Sequence, residues 1–295
     1  MTKITLILSL FISLLIVGCS STSSLSKQTD KASKAFATGD FEIAFNLYDS
    51  YIRDQENKEK EVNGDLYGMA AKAALKTDKF IDAEKYYKLA LYKEAGDSDL
   101  YVQMSAVYRK IDNLSKEMDA LEFYVKHFAK EAVNNPQKKR LFELYIESEN
   151  WEKAEKFWPS FNVENQSEIQ LMELYLTALK NLDKTELADK LASSILKREV
   201  SNRIALEWRA EKYFRKAENR YQGALDAYEK NKTNKQYNLM LKALDRVTFD
   251  FKKSLKYYRM LYKIYPSKEY AKYMSNIYVR FQDKKNSSYY LRLSK

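Results

Sequence analysis

The chain has 295 residues, a formal charge of +10, and only one cysteine, one histidine, six glycines and three prolines beside 24 tyrosines. A lone Cys excludes a disulfide framework, a lone His excludes His-pair metal sites, and six scattered glycines exclude a glycine-rich phosphate loop. Few helix breakers among abundant Leu, Ala, Lys and Glu indicate a nearly all-helical protein. The charge is uneven: residues 197–295 hold 25 Lys/Arg against 10 Asp/Glu, and residues 1–196 hold 26 against 31. Ends of unlike charge suit different partners.

Taken in chain order, Lys3 precedes an apolar run from Ile4 to Val17, followed by Gly18 and Cys19. The run is shorter than the roughly 20 apolar residues a membrane-spanning helix needs. A positive start, a short apolar stretch and a small residue before a cut site read as a signal peptide. Ile16-Val17-Gly18-Cys19 resembles the lipobox of bacterial lipoproteins, which implies cleavage after Gly18 and lipidation of Cys19; a plain secretory signal with an incidental Cys is the alternative. Residues 1–18 are therefore expected to be a lipoprotein signal peptide. Residues 19–29 are expected to form a lipidated tether, because a run such as Ser20-Ser21-Thr22-Ser23-Ser24 cannot bury a core. Residues 30–295 are expected to form one helical repeat domain.

Within that domain a two-helix unit recurs at a period of about 34 residues. Its mark is an aromatic or apolar residue after the turn, a small residue three later and an aromatic four beyond that. The copies are Phe41/Ala44/Tyr48, Phe80/Ala83/Tyr87, Trp151/Ala154/Trp158, Tyr221/Ala224/Tyr228 and Phe251/Ser254/Tyr258, with degenerate ones at Leu114/Glu117/Leu121 and Thr185/Ala188/Ala192. A partial copy runs from Tyr270 to Leu293. Polar or Gly pairs mark turns at Gly39-Asp40, Asp78-Lys79, Asp112-Asn113 and Glu149-Asn150, and cap signals stand at Asp97-Ser98-Asp99 and Ser267. The pattern resembles the tetratricopeptide repeat (TPR). That resemblance implies an all-α solenoid of about seven to eight antiparallel helix pairs forming a curved superhelix, with Ala44, Ala83, Ala154, Ala188 and Ala224 at close helix contacts.

No catalytic set emerges. His127, in Tyr124-Val125-Lys126-His127, falls at the end of a second helix and reads as a packing or surface residue. Cys19, if acylated, is no nucleophile. The acidic residues read as solvated helical faces, with no pair set apart for glycosidase work. The Tyr-rich, Lys-rich segment beyond residue 250 could stack single-stranded nucleic acid, but an exported protein is not expected to meet it, and most of these tyrosines fall at core positions. No cofactor and no metal are expected.

TPR proteins commonly bind peptides along the groove lined by their first helices. Aligned on that pattern, Arg209, Tyr213, Lys216, Arg246, Lys272 and Asn276 fall on the groove side. Lys272 and Asn276 resemble half of the Lys/Asn pair with which some TPR domains clamp a peptide carboxylate; the other clamp residues are not evident. The expected function is a non-enzymatic, membrane-anchored adaptor for envelope proteins or peptide segments, acidic ones included. In layout it resembles TPR lipoproteins of outer-membrane assembly and of pilus or secretion machinery. The alternative is a binder of anionic cell-wall polymer or glycan through a basic, Tyr-bearing groove. Ser20 after Cys19 implies the outer membrane by analogy with lipoprotein sorting, and the lack of an acidic cluster before Asp30 implies its periplasmic face.

Overall fold

The computed structural model describes residues 20–128 and 136–295, with side chains described from Lys27 onward. The expected signal peptide, residues 1–18, and Cys19 lie outside the described residues. Every regular element among the described residues is helical, and contacts divide the chain into two compact units, Met1–Leu144 and Tyr145–Lys295.

The first unit holds α1 (Ser20–Thr38), α2 (Phe41–Asn57), α3 (Gly64–Lys76), α4 (Phe80–Tyr92), α5 (Ser98–Lys110) and α6 (Leu114–His127). Helix α7 (Pro136–Glu147) contains the boundary between units. The segment expected as a tether is helical from Ser20, and Gln28 docks it by donating to Leu47 O and Ser50 Oγ at 3.3 and 2.8 Å. An apolar cluster runs from Ala32 to Val107, and beyond it Ala120, Leu121, Leu141 and Leu144 are also buried. Ala44 and Ala83 are fully buried where helices approach, with Tyr48 and Tyr87 filling the space beside them. Asp97 caps α5 by accepting from Leu100 N at 2.7 Å.

The second unit holds α8 (Trp151–Phe157), a 3-10 turn (Trp158–Ser160), α9 (Val163–Gln166), α10 (Ile169–Asn181) and α11 (Thr185–Arg198), followed by α12 (Arg203–Lys230), α13 (Asn234–Ile264), α14 (Lys268–Arg280) and α15 (Lys284–Leu293). Pro159, which has no N–H to continue an α-helix, cuts α8 short. Ser267 caps α14 through Tyr270 N at 3.2 Å.

One turn geometry recurs through both units. Gly39, Asp78, Asp112, Glu149, Asp183 and Gln282 all have positive φ, and the next helix begins two residues later in each case. The residue after each donates to the carbonyl five positions back, as Asp40 does to Ala35 at 2.9 Å and Lys184 to Leu179 at 3.0 Å. This is the Schellman closure, which satisfies carbonyls a helix end otherwise leaves open. From Gly39 to Asp183 the turns follow roughly at the repeat spacing, but the stretch from Asp183 to Gln282 spans about three repeats with no turn of this kind.

The copies at Tyr221 and Phe251 are therefore not separate hairpins. In place of two turns the chain runs straight through in α12, 28 residues long, and α13, 31 residues long, which pair as one double-length antiparallel hairpin. No residue at 218–220 or 248–250 adopts positive φ. Arg220 and Asp250, which would have flanked the two missing turns, instead form an ion pair with each other across the hairpin. The proximal half packs normally: Ser254 is buried and donates to Ala210 O at 2.9 Å, and Phe251 and Tyr258 are in the core. Residues 219–246 contain no buried residue, so Ala224 is only half-buried.

Enlarging Ala188 should therefore overpack a helix contact and Ala224 should not. Ala188→Leu is expected to lower unfolding free energy by about 1–3 kcal/mol, while Ala224→Leu stays within about 0.5 kcal/mol, both read by urea unfolding. Equal losses at the two sites would contradict the double-length hairpin.

Candidate partner-binding surface

The basic third of the chain pairs several of its few carboxylates with its own arginines. Helices α12 and α14 run side by side, joined by Arg203 Nε donating to Tyr270 O–H at 3.1 Å and by Tyr270 donating in turn to Glu207. Burial, then the bond to Glu207, pushes the Tyr270 phenol up to about 12. Farther along, the Arg280 guanidinium pairs with Glu218 at 2.8 Å and lies 4.4 Å from the Tyr221 ring centroid. Phe214 meets Tyr273 edge-on at 5.0 Å. Between α12 and α13, buried Asp250 accepts from Arg220 and stands 3.7 Å from Lys216 Nζ.

The six residues aligned on the expected groove have different fates. Arg209 is turned toward α11: it bonds Asp189 Oδ1 at 2.5 Å, the Asp189 carbonyl at 3.2 Å and Ser193 Oγ, so its charge is spent on packing two helices. Tyr213 stacks on Tyr257 with parallel rings 6.1 Å apart, and the ammonium groups of Lys212 and Lys253 lie over it at 5.5 and 5.0 Å. Lys216 is exposed beside Asp250, and with Thr185, Lys212, Arg215 and Asn219 it lines a shallow depression. Arg246 is exposed on α13, on the face opposite the one that packs against α14 through Phe251 and Tyr258. Lys272 and Asn276 are exposed one turn apart on α14, while Tyr270, Met274 and Ile277 of that helix are buried. The arrangement places Tyr213, Lys216 and Arg246 along the α12–α13 hairpin and leaves Lys272 and Asn276 on a separate helix face.

Sequence reading missed a buried charge cluster in the first unit. Glu117 takes the small-residue position filled by Ala44 and Ala83 in neighbouring copies, yet it is 1% exposed. It accepts from Arg109 Nε at 2.7 Å and from Arg140 Nε and Nη2 at 2.9 and 3.0 Å. Burial works to raise its pKa, but the bonds and charges of Arg140 and Arg109 outweigh burial and hold the carboxyl below its usual range. The available signal was a Glu where the repeat wants Ala: only arginines reaching in from flanking helices make that tolerable. His127 ends α6, exposed, its ring stacked on Phe123 at 4.2 Å. Among the described residues no cluster of His, Cys, Asp or Glu could hold a metal ion, and no helix is long and apolar enough to cross a membrane.

The chain is similar to the C-terminal part of a TPR repeat-containing protein from Cytophaga hutchinsonii, with a TM-score of 0.50 over 90% of this chain and 93% of that one, at 14% identity. The fold is TPR-type. Weaker likenesses, which add no weight, are a tetratricopeptide repeat protein from Parabacteroides merdae (TM-score 0.45, 13% identity, 92% of each chain) and YrrB, a TPR protein with an unusual peptide-binding site (TM-score 0.48, 11% identity, 63% of this chain and 95% of that one). No protein-family model matches the chain, and neither does any curated protein.

Because the Glu117 carboxyl is held low in the folded state, its contribution to stability is full above the unfolded carboxyl pKa of about 4.3 and is lost as pH falls through the folded value. Glu117→Gln is expected to cost about 3 kcal/mol at pH 7 by leaving the arginines uncompensated. In urea titrations its deficit against wild type should shrink below about pH 4; a deficit independent of pH would assign the loss to packing.

Proposed function

We propose that this chain is a non-enzymatic TPR adaptor, tethered through a lipid on Cys19 at the periplasmic face of the outer membrane, which holds protein segments within envelope machinery of the outer-membrane assembly, pilus or secretion type. The observation that carries the reading is how the basic third distributes its charge. Glu207, Glu218 and Asp250 are each paired with an arginine of the fold, Arg203, Arg280 and Arg220, whereas Arg246 and Lys272 stand exposed with no carboxylate partner among the described residues. A TPR array is a scaffold whose long helix faces remain free once each hairpin has stacked on its neighbours. Unpaired cations and aromatic rings on such faces suit protein recognition, where anchors of this type dominate interfaces. The lipobox-like Ile16-Val17-Gly18-Cys19 supports the tether; multiple acyl chains anchor stably where one is marginal.

Cys19→Ser is the direct test of the tether. The variant is expected to keep its helicity and its partners in solution while moving from the membrane to the soluble fraction; a variant that still sediments with membranes would remove the lipid from the reading. For the adaptor itself, crosslinking in solubilised envelopes followed by mass spectrometry should recover defined envelope proteins in stoichiometric amount. Recovery of glycan alone would overturn it in favour of a cell-wall binder.

A further inference from the structure

The missing turns create a surface that separate repeats would not have. Along α13, Leu239, Lys242, Arg246, Phe249, Lys253 and Lys256 follow one another in steps of three and four residues, so they form a single stripe on one helix face. Lys235 stands four residues before Leu239, and Lys263 lies two turns beyond Lys256 on the same face. A Schellman turn at Thr248–Asp250 would have broken the stripe in its middle; the continuous helix carries it unbroken for about 25 Å between Leu239 and Lys256.

Three observations show that most of the stripe is not committed to the fold, although Lys253 is half-buried over the Tyr213 ring of α12. Lys242, Arg246 and Lys256 are exposed and have no ion pair among the described residues. The nearby buried carboxylate, Asp250, points across to Arg220 and Lys216 instead. Phe249 and Leu239 are 57% and 49% exposed, and Lys253 Nζ lies 4.4 Å from the Phe249 ring centroid and 5.0 Å from that of Tyr213. The stripe is thus a row of cations interrupted by apolar side chains about ten residues apart, with the exposed Asp245 at its edge between Lys242 and Phe249.

We infer that the outward face of α13, rather than the groove of the first helices, receives an acidic amphipathic helix of a protein partner; this rests on the adaptor reading above. Its carboxylates, spaced every three or four residues, would meet Lys242, Arg246, Lys253 and Lys256, and an apolar side chain would seat between Phe249 and Leu239. Steps of three and four are the spacing at which one helix lies along another. A membrane surface fits less well, because a helix lying in a bilayer interface presents a contiguous apolar face, and here two cations separate one apolar residue from the next.

The probe is a fluorescein-labelled synthetic helix with Glu at steps of three and four residues and a Leu every ten or eleven, measured by anisotropy against the full chain. Wild type should bind it with an affinity that falls steeply with salt. The triple change Lys242→Glu, Arg246→Glu and Lys256→Glu should weaken binding at least tenfold with unchanged helicity and melting temperature, Phe249→Ala should weaken it several-fold even at high salt, and Lys272→Glu on α14 should have little effect. Equal binding by the triple variant, or an equal loss with Lys272→Glu, would overturn the assignment. So would stripe-dependent binding to phosphatidylglycerol vesicles in the absence of peptide binding. Crosslinked envelope partners retained by both wild type and the triple variant would reject the stripe and leave the adaptor standing; partners captured by neither would reject the adaptor itself.

Discussion

The left-handed residue that closes each first helix sets the dimensions of everything that follows. Where Gly39, Asp78, Asp112, Glu149, Asp183 or Gln282 takes positive φ, the helix ends, its last carbonyls are satisfied, and the chain turns back after one residue. The resulting hairpin exposes an apolar side that only a neighbouring hairpin can cover, so the repeats stack. A non-Gly residue in this conformation carries a steric cost of roughly 1–2 kcal/mol, which the paired helices offset. Asp, the commonest residue at these turns, tolerates the conformation better than most.

Where that closure is absent, helix propensity carries the chain onward. Glu218-Asn219-Arg220 and Thr248-Phe249-Asp250 contain neither Gly nor Pro, and the ion pair between Arg220 and Asp250 rewards the straight conformation. Two repeats become one hairpin twice as long. Its inner half is held by Ser254, Phe251 and Tyr258 against α12 and α14, and its outer half has no buried residue. Extending a helix beyond its packing partners leaves a face that is ordered by its own backbone but not consumed by the core, and such a face is available to another molecule.

Charge follows a matching logic in both units. A carboxylate is tolerated in the interior where arginines meet it from neighbouring helices: Glu117 between Arg109 and Arg140, and Asp250 beside Arg220. Exposed pairs such as Lys79 with Glu42 at 2.9 Å and Lys93 with Glu61 at 2.8 Å join successive hairpins but contribute little each. Since the basic third has 10 Asp/Glu against 25 Lys/Arg and pairs several of the acids with its own arginines, a surplus of positive charge is left on its surface.

The all-helical class, the repeat, the small residues at Ala44, Ala83, Ala154 and Ala188, and the caps at Asp97 and Ser267 were legible in the sequence, because each depends on residues within a few positions of one another. The core role of Tyr258 and Tyr270 was legible for the same reason. What escaped was anything set by a competition between distant segments. The pattern Tyr221/Ala224/Tyr228 is as good a repeat copy as Phe41/Ala44/Tyr48, yet one belongs to a hairpin of its own and the other to an unbroken helix. The difference lies in the turn before it and in Asp250, thirty positions beyond Arg220. Likewise Arg209 aligns with a groove, but Asp189 and Ser193 on α11 draw it into the packing. Sequence periodicity by itself determined which faces are apolar; only the tertiary structure decided where the helices end and which cations are left unpaired, because both depend on carboxylates and backbone groups brought close by folding.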